Sequence, residues 1–166
     1  MKAGILSDTH DARASADRAL DLLLAEGVGV IVHLGDVCAG FTLARFRACG
    51  IPLIGIFGNN DGDRRGIQLA SGGVFVPGPH KAALDGRNVL MAHAFDELQD
   101  EIAERGRYDL VLFGHTHRPL AMKVGRALVV NPGEACGYLS GRPTCAVVDL
   151  DALEARILDI PPAPGG

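Results

Sequence analysis

Seven side chains of types that bind metal ions lie between residues 8 and 117, most of them just after short apolar segments. They are Asp8, His10, Asp36, Asn59, His93, His115 and His117. Carboxylate, imidazole and amide groups together suit a hard or borderline divalent cation such as Mn²⁺, Zn²⁺, Fe²⁺ or Mg²⁺. Seven ligands are too many for one tetrahedral ion, and they fit two ions that share a bridging carboxylate. Because paired ions promote in-line attack on phosphorus, the residue types predict a dinuclear centre that cleaves phosphate esters.

Two pairs of these residues share a spacing of two positions. Asp8 precedes His10, and His115 precedes His117. In an extended chain, residues i and i+2 point to the same side. We therefore expect each pair to present both of its ligands on one side of the backbone.

The segments that must position these residues alternate between short apolar runs and amphipathic stretches. The pattern predicts strands at 2–6, 28–34 and 51–57, with helices at 13–26 and 41–48. A β-α-β-α-β order indicates parallel strands joined by right-handed crossovers. In an open α/β sheet ligands bind at the carboxyl ends of the strands, which is where Asp8, His10 and Asp36 fall.

The remaining segments have a different pattern. Turn signals such as Asp85-Gly86 predict an antiparallel stretch over 70–92. Periodicity further predicts a charged amphipathic helix at 95–105, strands at 109–113, 119–124, 126–131 and 144–149, and either a strand or a helix at 151–160. We expect one domain over residues 1–160 and a flexible Pro/Gly tail at 161–166.

The motifs, taken in order, resemble those of the calcineurin-like metallophosphoesterase superfamily, and among its members the small YfcE-type phosphodiesterases. The resemblance is carried by Asp8-Thr9-His10, Gly35-Asp36, Gly58-Asn59-Asn60-Asp61, His93, Gly114-His115-Thr116-His117 and the later turn Asn131-Pro132-Gly133. Each motif alone is weakly specific, because Gly-Asp and His-x-His arise by chance. All of them in the family's order are strong evidence.

The resemblance implies a four-layer α/β/β/α sandwich of two mixed β-sheets flanked by helices. It also implies how the ligands divide between two ions. One ion takes Asp8, His10 and His117, the other takes Asn59, His93 and His115, and Asp36 bridges them. By the same resemblance Asp36, Asn59 and His93 serve catalysis, in which a hydroxide held between the ions attacks phosphorus. We expect Mn²⁺ first, with Zn²⁺, Fe²⁺, Ni²⁺ or Mg²⁺ as alternatives.

Two positions depart from the family pattern. Many phosphomonoesterases and nucleases of the superfamily have a histidine that protonates the leaving group at the position of Asn60, and the YfcE-type members lack it. Without a general acid, good leaving groups are favoured, which indicates a phosphodiesterase. Glu134 stands where these small relatives often have Ser, with an effect on an anionic substrate that the sequence leaves open.

Several residues have an alternative interpretation. Asp8 and Asp36 could cap the helices that follow them. We interpret His33 as a hydrogen-bonded residue of the core or beside a ligand, and His80 as an exposed turn residue without a role. Asn60 and Arg118 are candidate substrate contacts, and so is Arg64 or Arg65, because guanidinium pairs well with phosphate. Arg13 also flanks the motifs, as surface arginines commonly do. The loops at 62–72 and 118–126 are candidate specificity loops.

Composition narrows the classes of function. The chain has 166 residues, 48% of them hydrophobic, and a net charge of −4, which argues against disorder and against a nucleic-acid or membrane-surface binder. Its four cysteines contain no Cys-x-x-Cys pair, and no apolar run approaches the length of a membrane span. We expect a cytoplasmic enzyme with free thiols, a small-molecule phosphate ester as substrate, and a homodimer or homotetramer.

Other functions are compatible with the same motifs. The alternatives are a phosphomonoesterase, a nuclease, a metal-binding regulatory module without turnover, and a non-catalytic scaffold or adaptor such as the small retromer subunit that this fold also resembles. In such a scaffold we would expect ligand positions to be lost. All seven are present here.

Overall fold

The computed structural model describes residues 1–98 and 106–163, in which eleven strands form two mixed sheets. The strands are β1 (Lys2–Leu6), β2 (Val30–His33), β3 (Leu53–Ile56), β4 (Phe75–Val76), β5 (His80–Leu84), β6 (Arg87–Met91), β7 (Leu110–Leu112), β8 (Leu120–Val124), β9 (Ala127–Asn131), β10 (Thr144–Asp149) and β11 (Glu154–Asp159). The helices are α1 (Arg13–Ala25), α2 (Ala44–Ala48) and α3 (Arg64–Ser71), with 3₁₀ turns at Gly40–Leu43 and Phe95–Leu98.

The first sheet has the strand order β11-β10-β1-β2-β3-β4. Strands β1 to β4 are parallel, as the β-α-β-α-β pattern predicts, and β10 and β11 extend the sheet in antiparallel fashion. The apolar run at Val30–His33 is fully buried because β2 lies in the interior of this sheet and is covered on both faces.

The second sheet has the order β5-β6-β7-β9-β8. Its central strands β6, β7 and β9 are parallel, whereas β5 and β8 pair antiparallel at the two edges. The carboxyl ends of β6 and β7 therefore lie side by side. This places the segments that follow them, with His93 and His115, next to each other.

Apolar side chains hold the layers together in two main clusters. One cluster lies between the sheets and joins Ile5 and Val32 of the first sheet to Met91 and Leu112 of the second. Another lies on the outer face of the first sheet, where helix α1 packs through Leu20 and its neighbours. The two mixed sheets packed face to face confirm the predicted class of fold.

Helix α3 occupies a segment that was predicted to be a loop at 62–72. Asp63 caps it, because its carboxylate accepts from the backbone N–H of Gly66 at 2.9 Å. Gly72 ends it in the left-handed conformation, with φ +80°. The cap residues were visible in the sequence, but the helix buries only Ile67 and Ser71 and so has no apolar stripe from which to predict it.

Two other predictions of secondary structure need correction. The stretch 70–92 is not wholly antiparallel, since β4 pairs in parallel with β3 and only β5 and β6 form a hairpin. The predicted helix at 41–48 divides into a 3₁₀ turn and α2. The strand predicted at 119–124 is observed as the edge strand β8, within the expected specificity loop at 118–126. Of the two alternatives at 151–160, the strand is observed, as β11.

Parts of two predictions fall outside the described residues. Residues 99–105 of the predicted helix at 95–105 do so, and the described part forms the 3₁₀ turn Phe95–Leu98. Residues 164–166 of the predicted tail at 161–166 do so as well. Among residues 1–98 and 106–163, no helix is long and apolar enough to cross a membrane.

Candidate metal centre

All seven predicted ligands lie on turns that follow strands at one edge of the two sheets. Asp8 and His10 follow β1, Asp36 follows β2 and Asn59 follows β3. From the second sheet, His93 follows β6, while His115 and His117 follow β7. The site is therefore built from five strand ends of two sheets that pack against each other.

Glycines in the motifs let these turns approach one another. A Cβ atom on Gly35 would lie 2.6 Å from the backbone N of Gly58 and 2.8 Å from Nδ1 of His93. A Cβ on Gly58 would clash with Oδ1 of Asp36, and one on Gly114 would clash with Ser7. The glycines beside Asp36, Asn59 and His115 are thus required by close packing of the strand ends.

The ligands sit in strained turns rather than in extended chain. A positive φ is uncommon for a residue with a side chain, and five of the seven ligands have one: Asp8 (54°), His10 (41°), Asp36 (56°), His115 (63°) and His117 (60°). The expectation that each i, i+2 pair lies in extended backbone is therefore wrong. Such strain persists only where surrounding structure enforces it, and it clusters at functional sites.

Asp8, His10 and His117 form one group of ligand atoms. Oδ1 of Asp8 lies 3.7 Å from Nε2 of His10 and 3.4 Å from Nε2 of His117. The two imidazole rings stack with their centroids 5.3 Å apart. The potential ligand atoms of these three residues all lie within 4.8 Å of one another, a spacing that one cation could span.

Two buried atoms of this group have no hydrogen-bond partner within the part of the chain that the structure describes. They are Oδ1 of Asp8 and Nε2 of His10. A buried polar atom without a partner is costly, and a cation between these two atoms would satisfy both. The interaction with Asp8 also raises the pKa of His10 against the effect of burial. The residues present therefore fit a metal ion.

A second group surrounds His93. Its Nδ1 donates to the carbonyl oxygen of Leu34 at 2.8 Å, so Nε2 faces the site, 2.9 Å from Oδ1 of Asn59. The ring of His115 packs edge-on against that of His93, with the centroids 5.1 Å apart. Burial lowers the pKa of His93, but the Asp36 carboxylate and the Leu34 carbonyl outweigh it and raise the value to about 9.

Asp36 lies between the two groups. Its Oδ2 is 3.5 Å from Nε2 of His10 and 3.4 Å from Nε2 of His93. Asn60 holds this carboxylate, because its backbone N–H donates to Oδ1 at 2.8 Å and its side-chain amide donates to Oδ2 at 2.7 Å. Burial opposes ionisation, but the bonds from His93 and Asn60 keep the pKa of Asp36 well below its usual range.

No role was predicted for Asp61, although it belongs to the third motif. The buried Asp61 carboxylate accepts from the backbone N–H groups of Asp36 (3.1 Å), Gly58 (2.7 Å) and Cys38 (2.8 Å). It therefore ties the turn after β2 to the turn after β3. Its position directly after Asn59-Asn60 could have indicated from the sequence that Asp61 supports the site.

Glu134 contacts a predicted ligand directly. It is fully buried, and its Oε2 lies 2.7 Å from Nδ1 of His117. Burial opposes ionisation, but His117 and the N–H groups of Ser140 and Leu139 lower the pKa of Glu134 to about 2. The sequence showed only that a Glu stands where small relatives often have Ser.

The two remaining histidines do not belong to the ligand groups, although His33 contacts residues that neighbour them. His33 is buried and accepts at Nδ1 from the backbone N–H of Gly35, while Nε2 contacts Thr9 Oγ1 at 3.2 Å. Burial lowers the pKa of His33 to about 4, so this ring is a neutral, hydrogen-bonded part of the core. His80 lies on strand β5 and is partly buried, so the expectation of an exposed turn residue is wrong.

The cap interpretation of Asp8 and Asp36 is also wrong. The residue that caps α1 is Ala12 and the one that caps the 3₁₀ turn Gly40–Leu43 is Ala39, in both cases without a side-chain bond. Of the candidate phosphate contacts, Arg64 stacks over the ring of Phe57 at 4.9 Å.

The other arginines near the motifs differ in their surroundings. Arg13 lies 3.8 Å from the carboxylate of Asp17 one helical turn away, which is a surface ion pair. Arg118 is exposed directly after His117, and its backbone N–H donates to Thr116 Oγ1 at 3.3 Å. Arg118 is thus an exposed arginine that directly follows a predicted ligand.

The chain is similar to known proteins over nearly its whole length. A family model described as the calcineurin-like phosphoesterase superfamily domain matches residues 1–153. Phosphodiesterase MJ0936 of Methanocaldococcus jannaschii is 33% identical over 161 residues, which cover 94% of this chain and 97% of that protein. Phosphodiesterase YfcE of Escherichia coli K12 is 24% identical over 174 residues, covering 96% and 93%. A solved structure described as a novel archaeal phosphodiesterase superposes with a TM-score of 0.87 at 32% identity, covering 96% of this chain and 99% of that chain.

Proposed function

Because the chain belongs to the calcineurin-like phosphoesterase superfamily, and is thus a phosphoric ester hydrolase, we propose that it is a phosphodiesterase that uses two divalent metal ions. The observation that carries this proposal is the position of Asp36 between two groups of potential ligand atoms that lie at the strand ends. The names of the relatives MJ0936 and YfcE support a diester as the substrate.

The proposed division of the ligands follows the two groups. Asp8, His10 and His117 would hold one ion, and Asn59, His93 and His115 would hold the other, with Asp36 shared between them. When bound, the two ions supply hydroxide at neutral pH by lowering the pKa of water, and they neutralise charge that develops on the phosphoryl oxygens.

The chain's own residues contribute mainly by orientation. Asn60 donates to both carboxylate oxygens of Asp36. Asp61 accepts from the backbone N–H groups of Asp36 and Cys38 and so holds the turn that carries Asp36. We propose that Arg118 pairs with a phosphoryl oxygen of the substrate and that Asn60 borders the substrate. Since Asn60 cannot donate a proton as an acid, the leaving oxygen must be a good leaving group or must take its proton from water. That requirement favours diesters over monoesters.

We also propose the conditions under which the enzyme works. Mn²⁺ is the expected ion, with Zn²⁺, Fe²⁺, Ni²⁺ or Mg²⁺ as alternatives that the same ligand types accommodate. The substrate is a small-molecule phosphate ester rather than nucleic acid, because the net charge is −4. The four free thiols accord with a reducing compartment, the cytoplasm. A homodimer or homotetramer remains our proposal for the assembly.

The test compares an activated diester with its monoester. The protein is freed of metal by chelation, then supplied with Mn²⁺, and hydrolysis of bis-p-nitrophenyl phosphate and p-nitrophenyl phosphate is followed. We expect Mn²⁺-dependent turnover with the diester preferred. Asp8→Asn and His115→Ala should abolish turnover while circular dichroism stays unchanged, because both residues lie on turns outside the apolar core.

A matched control is His80→Ala on strand β5, which should retain wild-type turnover. Retained Mn²⁺-dependent activity in the Asp8 or His115 variant would contradict the proposal. Two bound ions without hydrolysis of either ester would instead favour the regulatory or scaffold function.

A further inference from the structure

The Glu134 carboxylate is surrounded by hydrogen-bond donors. Oε2 contacts Nδ1 of His117 at 2.7 Å and Sγ of Cys136 at 3.2 Å. Oε1 accepts from the backbone N–H groups of Leu139 at 3.0 Å and Ser140 at 2.5 Å. An ionised carboxylate only accepts hydrogen bonds. The proton in the contact with His117 therefore sits on Nδ1 of the imidazole.

The opposite ring nitrogen of His117 faces the site. Nε2 lies 3.4 Å from Oδ1 of Asp8, in the group that also contains His10. A neutral imidazole that is protonated on Nδ1 has its lone pair on Nε2, and only a nitrogen with a free lone pair can bind a metal ion.

We propose that Glu134 is a positioning residue that fixes His117 in the Nδ1-protonated tautomer and so prepares Nε2 to bind a divalent cation. The inference rests on the proposed metal site. Glu134 thereby raises the affinity of that site for a metal ion and orients the His117 ring, and it does not contact the substrate.

Two of the other predicted ligand histidines, His93 and His10, have weaker partners at the same atom. Nδ1 of His93 donates to the neutral carbonyl oxygen of Leu34, and Nδ1 of His10 lies 3.5 Å from the thiol of Cys38. A carboxylate partner orients the ring and makes the imidazole a more basic ligand than a carbonyl partner does. The carboxylate partner therefore distinguishes His117 from His10, although both histidines belong to the same group of potential ligand atoms.

Glu134→Gln separates positioning from a purely structural role. The Gln carbonyl oxygen can still accept from the N–H groups of Leu139 and Ser140, which leaves its amide facing His117. An amide N–H in that place donates to Nδ1, so the imidazole proton must move to Nε2. The substitution thus keeps the loop but favours the tautomer that cannot bind the ion.

The experiment measures metal binding directly. Mn²⁺ and Zn²⁺ are titrated calorimetrically into the chelator-treated full chain, and the melting temperature of the metal-free protein is recorded. We expect Glu134→Gln to weaken one of two sites by about 10- to 100-fold, with little change in melting temperature. In the Zn²⁺-loaded wild type, long-range ¹H–¹⁵N spectra should show His117 protonated on Nδ1. Glu154→Gln, on the exposed strand β11, is the matched control and should bind as the wild type does.

Three outcomes would overturn the inference. Wild-type affinity at both sites in Glu134→Gln would overturn it alone and leave the proposed function standing. A loss of affinity that merely follows a loss of melting temperature, in Glu134→Gln as in Glu134→Ala, would show a structural role. Failure of the wild type to bind two ions would overturn the proposed function together with this inference.

Discussion

Asn60 combines two properties that bear on substrate choice. It holds Asp36 through two donated bonds, at 2.8 and 2.7 Å, and its amide has no acidic proton to give to a leaving group. The residue that orients the Asp36 carboxylate thus occupies the place where, by the resemblance, many phosphomonoesterases and nucleases of the superfamily have a general acid. We therefore expect the side chain at position 60 to determine the preference between phosphate monoesters and diesters.

Asn60→His should shift the preference toward monoesters. An imidazole at this position can protonate the leaving oxygen, and general acid catalysis contributes about 10²- to 10⁴-fold where it operates fully. We expect the monoester-to-diester ratio of kcat/KM to rise by about 10-fold or more. The ratio is measured with p-nitrophenyl phosphate, phenyl phosphate and bis-p-nitrophenyl phosphate, since the poorer phenol leaving group depends most on an acid.

Asn60→Ala is the control for that substitution. It removes the bond to Asp36 without adding an acid, so it should slow both esters and leave the ratio near the wild-type value. An unchanged ratio in Asn60→His would mean that position 60 does not set the preference.

At the scale of elements, the site depends on how closely the turns after the strands can approach. Gly58 follows β3, and a Cβ there would clash with Oδ1 of Asp36, which follows β2. Asp61 then ties the same two turns through bonds to the N–H groups of Asp36 and Gly58. The turns after neighbouring parallel strands thus act as one unit.

Gly58→Ala should separate these turns. The added methyl group must displace the Asp36 carboxylate or the backbone, and such overpacking costs about 1–3 kcal/mol of the free energy of unfolding. We also expect weaker Mn²⁺ binding, because Asp36 and Asn59 move apart. Denaturant unfolding and calorimetric titration measure the two effects.

Gly62→Ala is the matched control four residues later. A Cβ at Gly62 meets nothing within 4 Å in the described structure, and its φ is not left-handed. Its effect on stability should stay within about 0.5 kcal/mol. Equal effects of the two substitutions would show that close approach at Gly58 is unimportant.

At the scale of the whole molecule, the apolar core lies apart from the predicted metal ligands. One cluster of buried side chains joins the two sheets and another joins the first sheet to helices α1 to α3. A core of this kind needs no metal to form. The buried carboxylates Asp8 and Asp36, however, lack in the metal-free protein the counter-charge that two cations would supply.

Metal removal should therefore leave the chain folded but less stable. We expect chelated protein to keep its circular dichroism and a cooperative thermal transition. Added Mn²⁺ should raise the melting temperature by several degrees, because a ligand at 100 times its Kd stabilises a site by about 2.7 kcal/mol. Loss of the cooperative transition on chelation would contradict this, and Ca²⁺ at the same ionic strength is the control for screening.

Much of the fold was predictable because its signals are local. Apolar runs identified β1, β2 and β3 and their parallel order, and the family resemblance that the motifs carry implied two mixed sheets. Helix α3 and the parallel pairing of β4 were missed. A two-residue strand has no periodicity of its own, and its partner is chosen by contacts distant in sequence.

The sequence by itself determined which residue types follow the strands, and therefore that a metal-dependent phosphoester chemistry was to be expected. The residues alone did not show how they are grouped; the family resemblance implied a grouping, and only the tertiary structure supplies its physical reason. His115 and His117 are two residues apart, yet His117 faces Asp8 and His115 packs against His93. Left-handed turns separate the side chains of His115 and His117. The packing of one sheet against the other then determines which residue each of them contacts. The same packing brings Glu134 to His117. The sequence could not predict this contact, because contacts between separate segments leave no local pattern in the chain.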